Sequence, residues 1–311
     1  MAKNKIYPID QSPFYKLSTK AKLADLLRVE RNALKELSSG LQYKVWKNEK
    51  GRLIQEPYGT LKLVHQRIFQ FLRCIEAPDY LHSGVKQRSY VTNAKMHVGR
   101  KQLYKIDISK FFPSVEESFI SGFYVNSLHC AKDVAWFLQK ICTHARCQEK
   151  PFEERGLPTG SSISQIIAFY AYKPMFDELF KFSQENNIVM TVYVDDITFS
   201  GKNISEAFQH SVKKIIHSRG LVTKRTKERF FRAEENKVVT GVVIVGDDIR
   251  VKNFQRIQIY EGIKMLYNME ESLEKKKLRK SIIGRLSSAG LIENGFKRQL
   301  ELVKSMANFS H

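Results

Sequence analysis

The sequence predicts an α+β fold, and three observations carry that reading. Two apolar, β-branched runs, Ile188-Val189-Met190-Thr191-Val192 and Ile197-Thr198-Phe199-Ser200-Gly201, flank Tyr193-Val194-Asp195-Asp196, the pattern of two short strands joined by a tight turn. A third such run, Leu103-Tyr104-Lys105-Ile106-Asp107-Ile108, ends on an acid, and Pro113 forbids a continuing central strand beyond it. Around these strands lie stretches whose apolar residues recur every three or four positions, the mark of helices with one buried face.

Taken in order, residues 18–38 read as a helix capped by Ser18 or Thr19, with Gly40 just past its end. Residues 41–57 look like a strand pair turning at Asn48-Glu49-Lys50-Gly51 and closed by Pro57. From Leu61 to Ile75, the residues Leu61, Val64, Ile68, Phe71 and Leu72 share one helical face, with Lys62, Gln66, Arg67 and Gln70 on the other. The Asp133–Leu138 stretch is mainly helical. Gly156 to Gln165 is a loop opening a helix from Ile166 to Phe180; Gly160 supplies permissive backbone, and the serines offer caps and free amides suited to an anion. A mixed-face helix from Ala207 to His217 follows, then a strand-like run from Val238 to Val245. Residues 252–311 read as basic helices, with Phe254, Ile257, Ile259, Tyr260, Ile263 and Leu266 forming an apolar stripe.

Adjacent acids at a hairpin tip repel unless a cation lies between them, so Asp195-Asp196 invites a divalent metal. If the strand ending at Asp107 lies beside that hairpin, three carboxylates converge. Such a set offers hard oxygen ligands for two Mg²⁺ held roughly 3.5–4 Å apart, one activating an attacking hydroxyl and one holding a leaving phosphate.

The 311 residues carry 52 Lys and Arg against 32 Asp and Glu, a net charge of +20, which points to a polyanionic partner and most simply to nucleic acid. The excess is spread along the chain; residues 213–232 hold eight Lys and Arg against Glu228 alone, so a long track is implied. With 42% apolar side chains the chain can bury a large core. No stretch approaches the ~20 apolar residues of a membrane span, and Met1-Ala2-Lys3-Asn4-Lys5-Ile6 lacks an apolar signal core, so a cytoplasmic protein with no membrane partner is expected. His129, Cys130, Cys142, His144 and Cys147 lack the usual zinc spacings, which leaves reduced thiols as the expectation.

From about Arg52 to Ser287 the chain resembles the reverse transcriptases. Tyr193-Val194-Asp195-Asp196 looks like their metal hairpin, and Ile106-Asp107 through Phe111-Phe112-Pro113-Ser114 like their other metal segment. The resemblance implies a right-hand polymerase fold: residues 1–100 an N-terminal helix and fingers, 101–250 a palm with inserted finger elements, 251–311 a helical thumb. It makes Asp107, Asp195 and Asp196 metal-binding and catalytic, with Ile108 in the metal-holding set. Phe112 takes the place of the steric gate against a ribonucleotide 2′-hydroxyl. Arg52, in the pattern Arg52-x-Ile54-x-x-Pro57 with Leu61, Lys62 and Gln66, takes the place of the contact to the incoming triphosphate, which a planar guanidinium suits. Gly160 and Ser161 belong to the family's nucleotide-binding loop, where this chain has Thr159 for the usual Gln and Gln165 where a second Pro is common. Lys227 best matches the lysine that donates a proton to leaving pyrophosphate, ahead of Lys224 and Arg225.

Two further segments resemble retron reverse transcriptases. Asn93-Ala94-Lys95-Met96-His97 is similar to their Asn-Ala-x-x-His element, and Val239-Thr240-Gly241 to their Val-Thr-Gly element. By that resemblance Asn93, His97, Val239, Thr240 and Gly241 contact RNA, and Gly284-Arg285-Leu286-Ser287 sits in the thumb. The retron likeness implies dNTP substrates, a cognate non-coding RNA serving as template and primer, and synthesis from a 2′-hydroxyl of an internal guanosine to give branched RNA-DNA (msDNA). It also implies an effector protein in phage defence. The alternatives are a group II intron-like or diversity-generating reverse transcriptase, or a catalytically silent RNA-binding module.

Overall fold

The computed structural model describes residues 6–99, 101–145 and 155–305. In chain order the elements are α1 (Lys20–Leu27), α2 (Ala33–Ser38), β1 (Tyr43–Lys47), β2 (Leu53–Pro57), α3 (Gly59–Leu72), α4 (Tyr90–Lys95) and β3 (Gln102–Asp107). Next come α5 (Phe111–Ser114), α6 (Glu117–Gly122), α7 (Lys132–Cys142), β4 (His144–Ala145), β5 (Arg155–Gly156), α8 (Ser164–Ala171), α9 (Lys173–Glu185), β6 (Val189–Tyr193), β7 (Asp196–Gly201) and α10 (Glu206–His217). The last are β8 (Arg229–Phe231), β9 (Lys237–Val239), β10 (Val242–Val245), β11 (Asp248–Arg250), α11 (Asn253–Asn268), α12 (Leu273–Gly290) and α13 (Gly295–Ser305).

Most expected elements appear, several of them divided. The helix expected over 18–38 is two helices, because Arg28 turns left-handed (φ 59°) and closes α1. The helix expected from Ile166 to Phe180 breaks at Tyr172, with Pro174 in the first turn of α9, where a proline costs no intrahelical hydrogen bond. The run Val238–Val245 is a hairpin and not one strand. Thr240 (φ 44°) and Gly241 (φ 91°) both adopt left-handed backbone, as a two-residue mirror-image turn requires.

The central sheet has the order β6-β7-β3-β8 and is antiparallel throughout. Register pairs Asp107 with Asp196, Lys105 with Thr198 and Leu103 with Ser200, while Tyr193 faces Asp196 and Thr191 faces Thr198. Directly opposed residues point to the same face, so all of these share one side of the sheet. The other side presents Tyr104, Ile106, Met190, Val192, Ile197 and Phe199, all buried in the main core, where α9 packs on β6 and Phe208 of α10 meets Phe199. The acidic side is covered in its lower half by α4 and the β9–β10 hairpin, where Val91, Ala94, Leu103, Val239, Val242 and Ile244 form a second cluster.

Helices α11 to α13 hold a third core of their own: Val251, Ile259, Leu266, Ile282, Leu286, Ala289 and Val303. The apolar stripe expected on α11 is therefore only partly inward. Ile259 and Leu266 are buried, but Phe254, Ile257 and Tyr260 face solvent. Cys130 and Cys142 are buried free thiols, and Cys147 lies outside the described residues. Among the described residues no helix is long and apolar enough to cross a membrane.

Candidate active site

The β6–β7 turn is built from Val194 and Asp195. Val194 sits at φ 61°, a left-handed conformation that a β-branched residue rarely adopts, and its amide donates to Ser83 Oγ at 3.0 Å. The Ile108 amide donates to the Asp195 carbonyl at 3.0 Å, and the Lys224 amide to the Asp107 carbonyl at 2.7 Å. Backbone bonds thus seat the ends of three segments against one another. The sheet register adds Asp196 beside Asp107. The convergence of Asp107, Asp195 and Asp196 expected from the sequence is present, with Ile108 adjoining it.

Asp107 is buried, while Asp195 and Asp196 are half-buried. Burial raises the pKa of Asp195, and the nearby Asp107 and Asp196 carboxylates raise it further. Asp196 is raised first by burial and also by Asp107, against the pull of Lys105. The positive side chain that reaches in is Lys227, on the single turn Arg225–Lys227, whose Nζ donates to Asp107 Oδ2 at 2.5 Å. That bond, more than any other effect, lifts the lysine above its ordinary pKa. Among the described residues no three His, Cys, Asp or Glu side chains already form a metal nest. The donor set still suits a hard cation, because crowded, partly desolvated carboxylates gain most from one.

Around this cluster a chain of contacts leads to the expected nucleotide-binding residues. Phe112, half-buried, accepts at its carbonyl from the Leu157 amide at 3.0 Å, and its ring lies 5.9 Å from that of Phe111. Two residues after Leu157, Thr159 Oγ1 donates to the Leu53 carbonyl at 2.7 Å, and the Gly160 amide donates to the Gln55 carbonyl at 3.1 Å. The loop therefore grips the β1–β2 hairpin, and exposed Arg52 stands at the start of that strand. A Cβ on Gly160 would come within 2.9 Å of the Gln55 carbonyl oxygen and of Ile54 Cγ2, so the approach needs glycine. In this arrangement Thr159, standing where the family has Gln, is a clasp on the hairpin.

Ser161 is committed elsewhere. His65 Nε2 lies 2.9 Å from the Ile141 carbonyl, which can only accept, so Nε2 carries the proton and Nδ1 accepts the Ser161 hydroxyl at 2.7 Å. Burial pushes His65 down to about 4, keeping it neutral. The Ser161 hydroxyl proton is thereby used inside the protein.

The two segments that matched retron enzymes, nearly 150 residues apart in sequence, meet. Asn93 Nδ2 donates to Thr240 Oγ1 at 3.4 Å, and Thr240 Oγ1 donates to the Tyr90 carbonyl at 2.8 Å. Thr240 and Gly241 are half-exposed at their turn, whereas Asn93, His97 and Val239 are buried. The buried side chains of Asn93, His97 and Val239 therefore do not offer the direct RNA contact expected of them and stand beneath the turn instead. Val239 belongs to the core under the turn, and His97 bonds to Thr191 and Ser200. Ser83 had no signal in spacing and Thr159 showed only as a departure from the family's Gln; the fold alone brings them to their partners.

Residues 44–265 match the family model described as reverse transcriptase (RNA-dependent DNA polymerase). The retron Ec48 reverse transcriptase of Escherichia coli is 25% identical over 98% of this chain and 80% of its own length. The retron Se72 reverse transcriptase of Salmonella heidelberg is 26% identical over 65% of this chain, and the match spans about half, 53%, of that relative. Among solved structures, a Candida albicans telomerase in complex with a fragment of telomeric RNA covers 84% of this chain and 59% of its own at 11% identity, TM-score 0.49. A foamy viral protease-reverse transcriptase in complex with double-stranded DNA covers 100% and 46% at 18% identity, TM-score 0.47. The match over most of the chain, on a mixed α+β framework with the acidic hairpin at its centre, makes this chain a member of the reverse transcriptase family, of right-hand polymerase fold, with retron reverse transcriptases among its relatives.

Proposed function

We propose that this chain is a retron-type RNA-directed DNA polymerase that copies part of a structured non-coding RNA into DNA, starting from a 2′-hydroxyl of an internal guanosine and leaving branched RNA-DNA. The observation that carries the chemistry is the register pairing of Asp107 with Asp196 beside the Asp195 turn. Those carboxylates would hold two Mg²⁺, which when bound supply an activated attacking hydroxyl and a stabilised leaving phosphate.

This chain's own residues do the rest. Arg52 would take the triphosphate in a forked contact, and the clasp at Thr159 and Gly160 fixes the hairpin that carries it. Phe112, five residues after Asp107, would fill the space of a ribonucleotide 2′-hydroxyl with its ring. Lys227 must leave Asp107 for a cation to bind there, and once displaced it is a protonated donor beside the site, fit to protonate pyrophosphate. Thr240 and Gly241, braced by Asn93, are the exposed part of the element assigned to the cognate RNA. The spread of positive charge favours a long nucleic-acid track that includes the msDNA product. An effector protein and a role in phage defence follow from the retron likeness.

Primer extension on an RNA template with and without Mg²⁺ tests the core of this reading. Asp195→Asn should retain RNA binding and lose extension by orders of magnitude. Near-normal extension would remove the two-metal assignment, and a wild-type chain that binds RNA but never extends would be the silent module. Ribonuclease treatment of the cellular product should leave DNA with a short RNA remnant that a 2′,5′-debranching enzyme removes; an intron-like enzyme would leave no such linkage.

A further inference from the structure

We propose that His97 is a positioning residue for the metal hairpin, bridging β6 and β7 from below and tying the placement of Asp195 and Asp196 to the Asn93–Thr240 junction. The inference rests on the polymerase reading above and adds a mechanical link to it.

His97 is fully buried two residues past α4. Its Nδ1 lies 2.8 Å from Ser200 Oγ on β7 and its Nε2 lies 2.7 Å from Thr191 Oγ1 on β6. Thr191 and Ser200 are diagonal neighbours on adjacent strands, on the same side of the sheet as Asp107 and Asp196. A neutral imidazole has one donor and one acceptor, so one hydroxyl donates a hydrogen bond to the ring while the other accepts one from it. Burial holds the ring neutral by lowering its pKa to about 3. The result is a rigid cross-brace between two strands whose joining turn is strained at Val194.

The brace continues in both directions. The segment before α4 grips the same hairpin: the His82 amide donates to the Val192 carbonyl at 2.9 Å, the Val192 amide to the Tyr80 carbonyl at 2.7 Å, and the Val194 amide to Ser83 Oγ. His82 Nδ1 also lies 3.1 Å from Thr92 Oγ1 within α4, where Ser89 and Thr92 form a capping box. Helix α4 in turn receives the Thr240 hydroxyl at the Tyr90 carbonyl and presents Asn93 to it. Residues 80–97 thus hold the catalytic hairpin at one end and the half-exposed Thr240–Gly241 turn at the other. A strand of nucleic acid pressing on that turn would act on α4, and through His97 on the depth at which Asp195 and Asp196 sit against Asp107.

The test measures primer extension on an RNA template unrelated to any cognate RNA, titrating Mg²⁺, with thermal melting of each variant in parallel. His97→Ala is expected to raise the half-saturating Mg²⁺ concentration by about tenfold or more, the range seen when groups orienting metal ligands are removed. His97→Gln, whose amide offers one donor and one acceptor, should recover most of that loss. Thr191→Val and Ser200→Ala each remove one end of the brace and should shift Mg²⁺ dependence in the same direction if His97→Ala is too poorly folded to assay. Leu138→Ala, in the buried face of α7, supplies a destabilised chain with the brace intact and should melt earlier without moving the Mg²⁺ midpoint. The proposal fails if the brace variants keep the wild-type midpoint, or if Leu138→Ala shifts it equally. A wild-type chain that does not extend at any Mg²⁺ concentration overturns the polymerase reading itself, a different result from either of these.

Discussion

Replacing Gly160 by Ala should weaken nucleotide binding through the β1–β2 hairpin without unfolding the core. Two hydrogen bonds dock the hairpin on the loop, Thr159 Oγ1 to the Leu53 carbonyl and the Gly160 amide to the Gln55 carbonyl. At about 1 kcal/mol each they favour the docked hairpin by roughly 30 to 1. The added Cβ would lie 2.9 Å from a backbone oxygen that cannot swing aside, so the overpacking penalty falls near the upper end of its range. At about 3 kcal/mol it reverses the ratio to roughly 1 to 5. The docked fraction then falls from nearly all to about one sixth, and the KM for dNTP rises about sixfold at unchanged melting temperature. Thr159→Val alone, costing about 1 kcal/mol, leaves most hairpins docked and changes KM hardly at all, yet in the Gly160→Ala background it multiplies the effect to about 30-fold. Steady-state extension against dNTP concentration reads all three. A folded double variant no weaker than Gly160→Ala alone would refute the docking account.

Phe112→Ala should erode discrimination against ribonucleotides while deoxynucleotide extension persists, measured as the ratio of dNTP to rNTP incorporation; an unchanged ratio would make Phe112 core only. Thr240→Ala should suppress branched product in cells more than extension of a DNA primer on an unrelated RNA, and an equal fall in both would mark the turn as structural. In metal-free buffer near neutral pH, Asp195→Asn should melt above wild type, because burial and neighbouring carboxylates raise the native pKa of Asp195 above its unfolded value. The folded state then binds more protons than the unfolded one, so the wild-type chain recovers stability as pH falls through that raised value and the difference between the two curves closes. A difference that widens on acidification would reverse the sign of the argument.

The central strands were readable because alternation, β-branching and the terminal acids all agree in Leu103–Asp107 and in the hairpin 188–201. The breaks inside helices were less so. Arg28 ends α1 by turning left-handed, and nothing in its side chain announces that; the preference of tertiary packing for two short helices wins over the unbroken apolar period. Thr240-Gly241 did carry a turn signal, but the flanking valines outweighed it in a reading of the run as one strand. The carboxylates were legible because their chemistry and their strand ends coincide. Ser83, Thr159 and the His65–Ser161 pair were not, since each depends on a partner at least 96 residues away or on a backbone group that sequence does not expose.

The site balances two demands that pull against each other. In the two-metal reading proposed above, Asp107, Asp195 and Asp196 stand close enough to share cations; without one they repel, and burial deepens the repulsion. Lys227 offsets part of it as an internal stand-in for a cation on Asp107, while being nearly half exposed and so free to yield. The surrounding frame offsets the rest: the Ile108–Asp195 and Lys224–Asp107 backbone bonds, the Ser83 hydroxyl on the Val194 amide and the His97 ring on Thr191 and Ser200 all act on strands and not on the carboxylates themselves. The acids are therefore held in place by a frame that acts on the strands, which in the proposed two-metal reading leaves their oxygens available to cations.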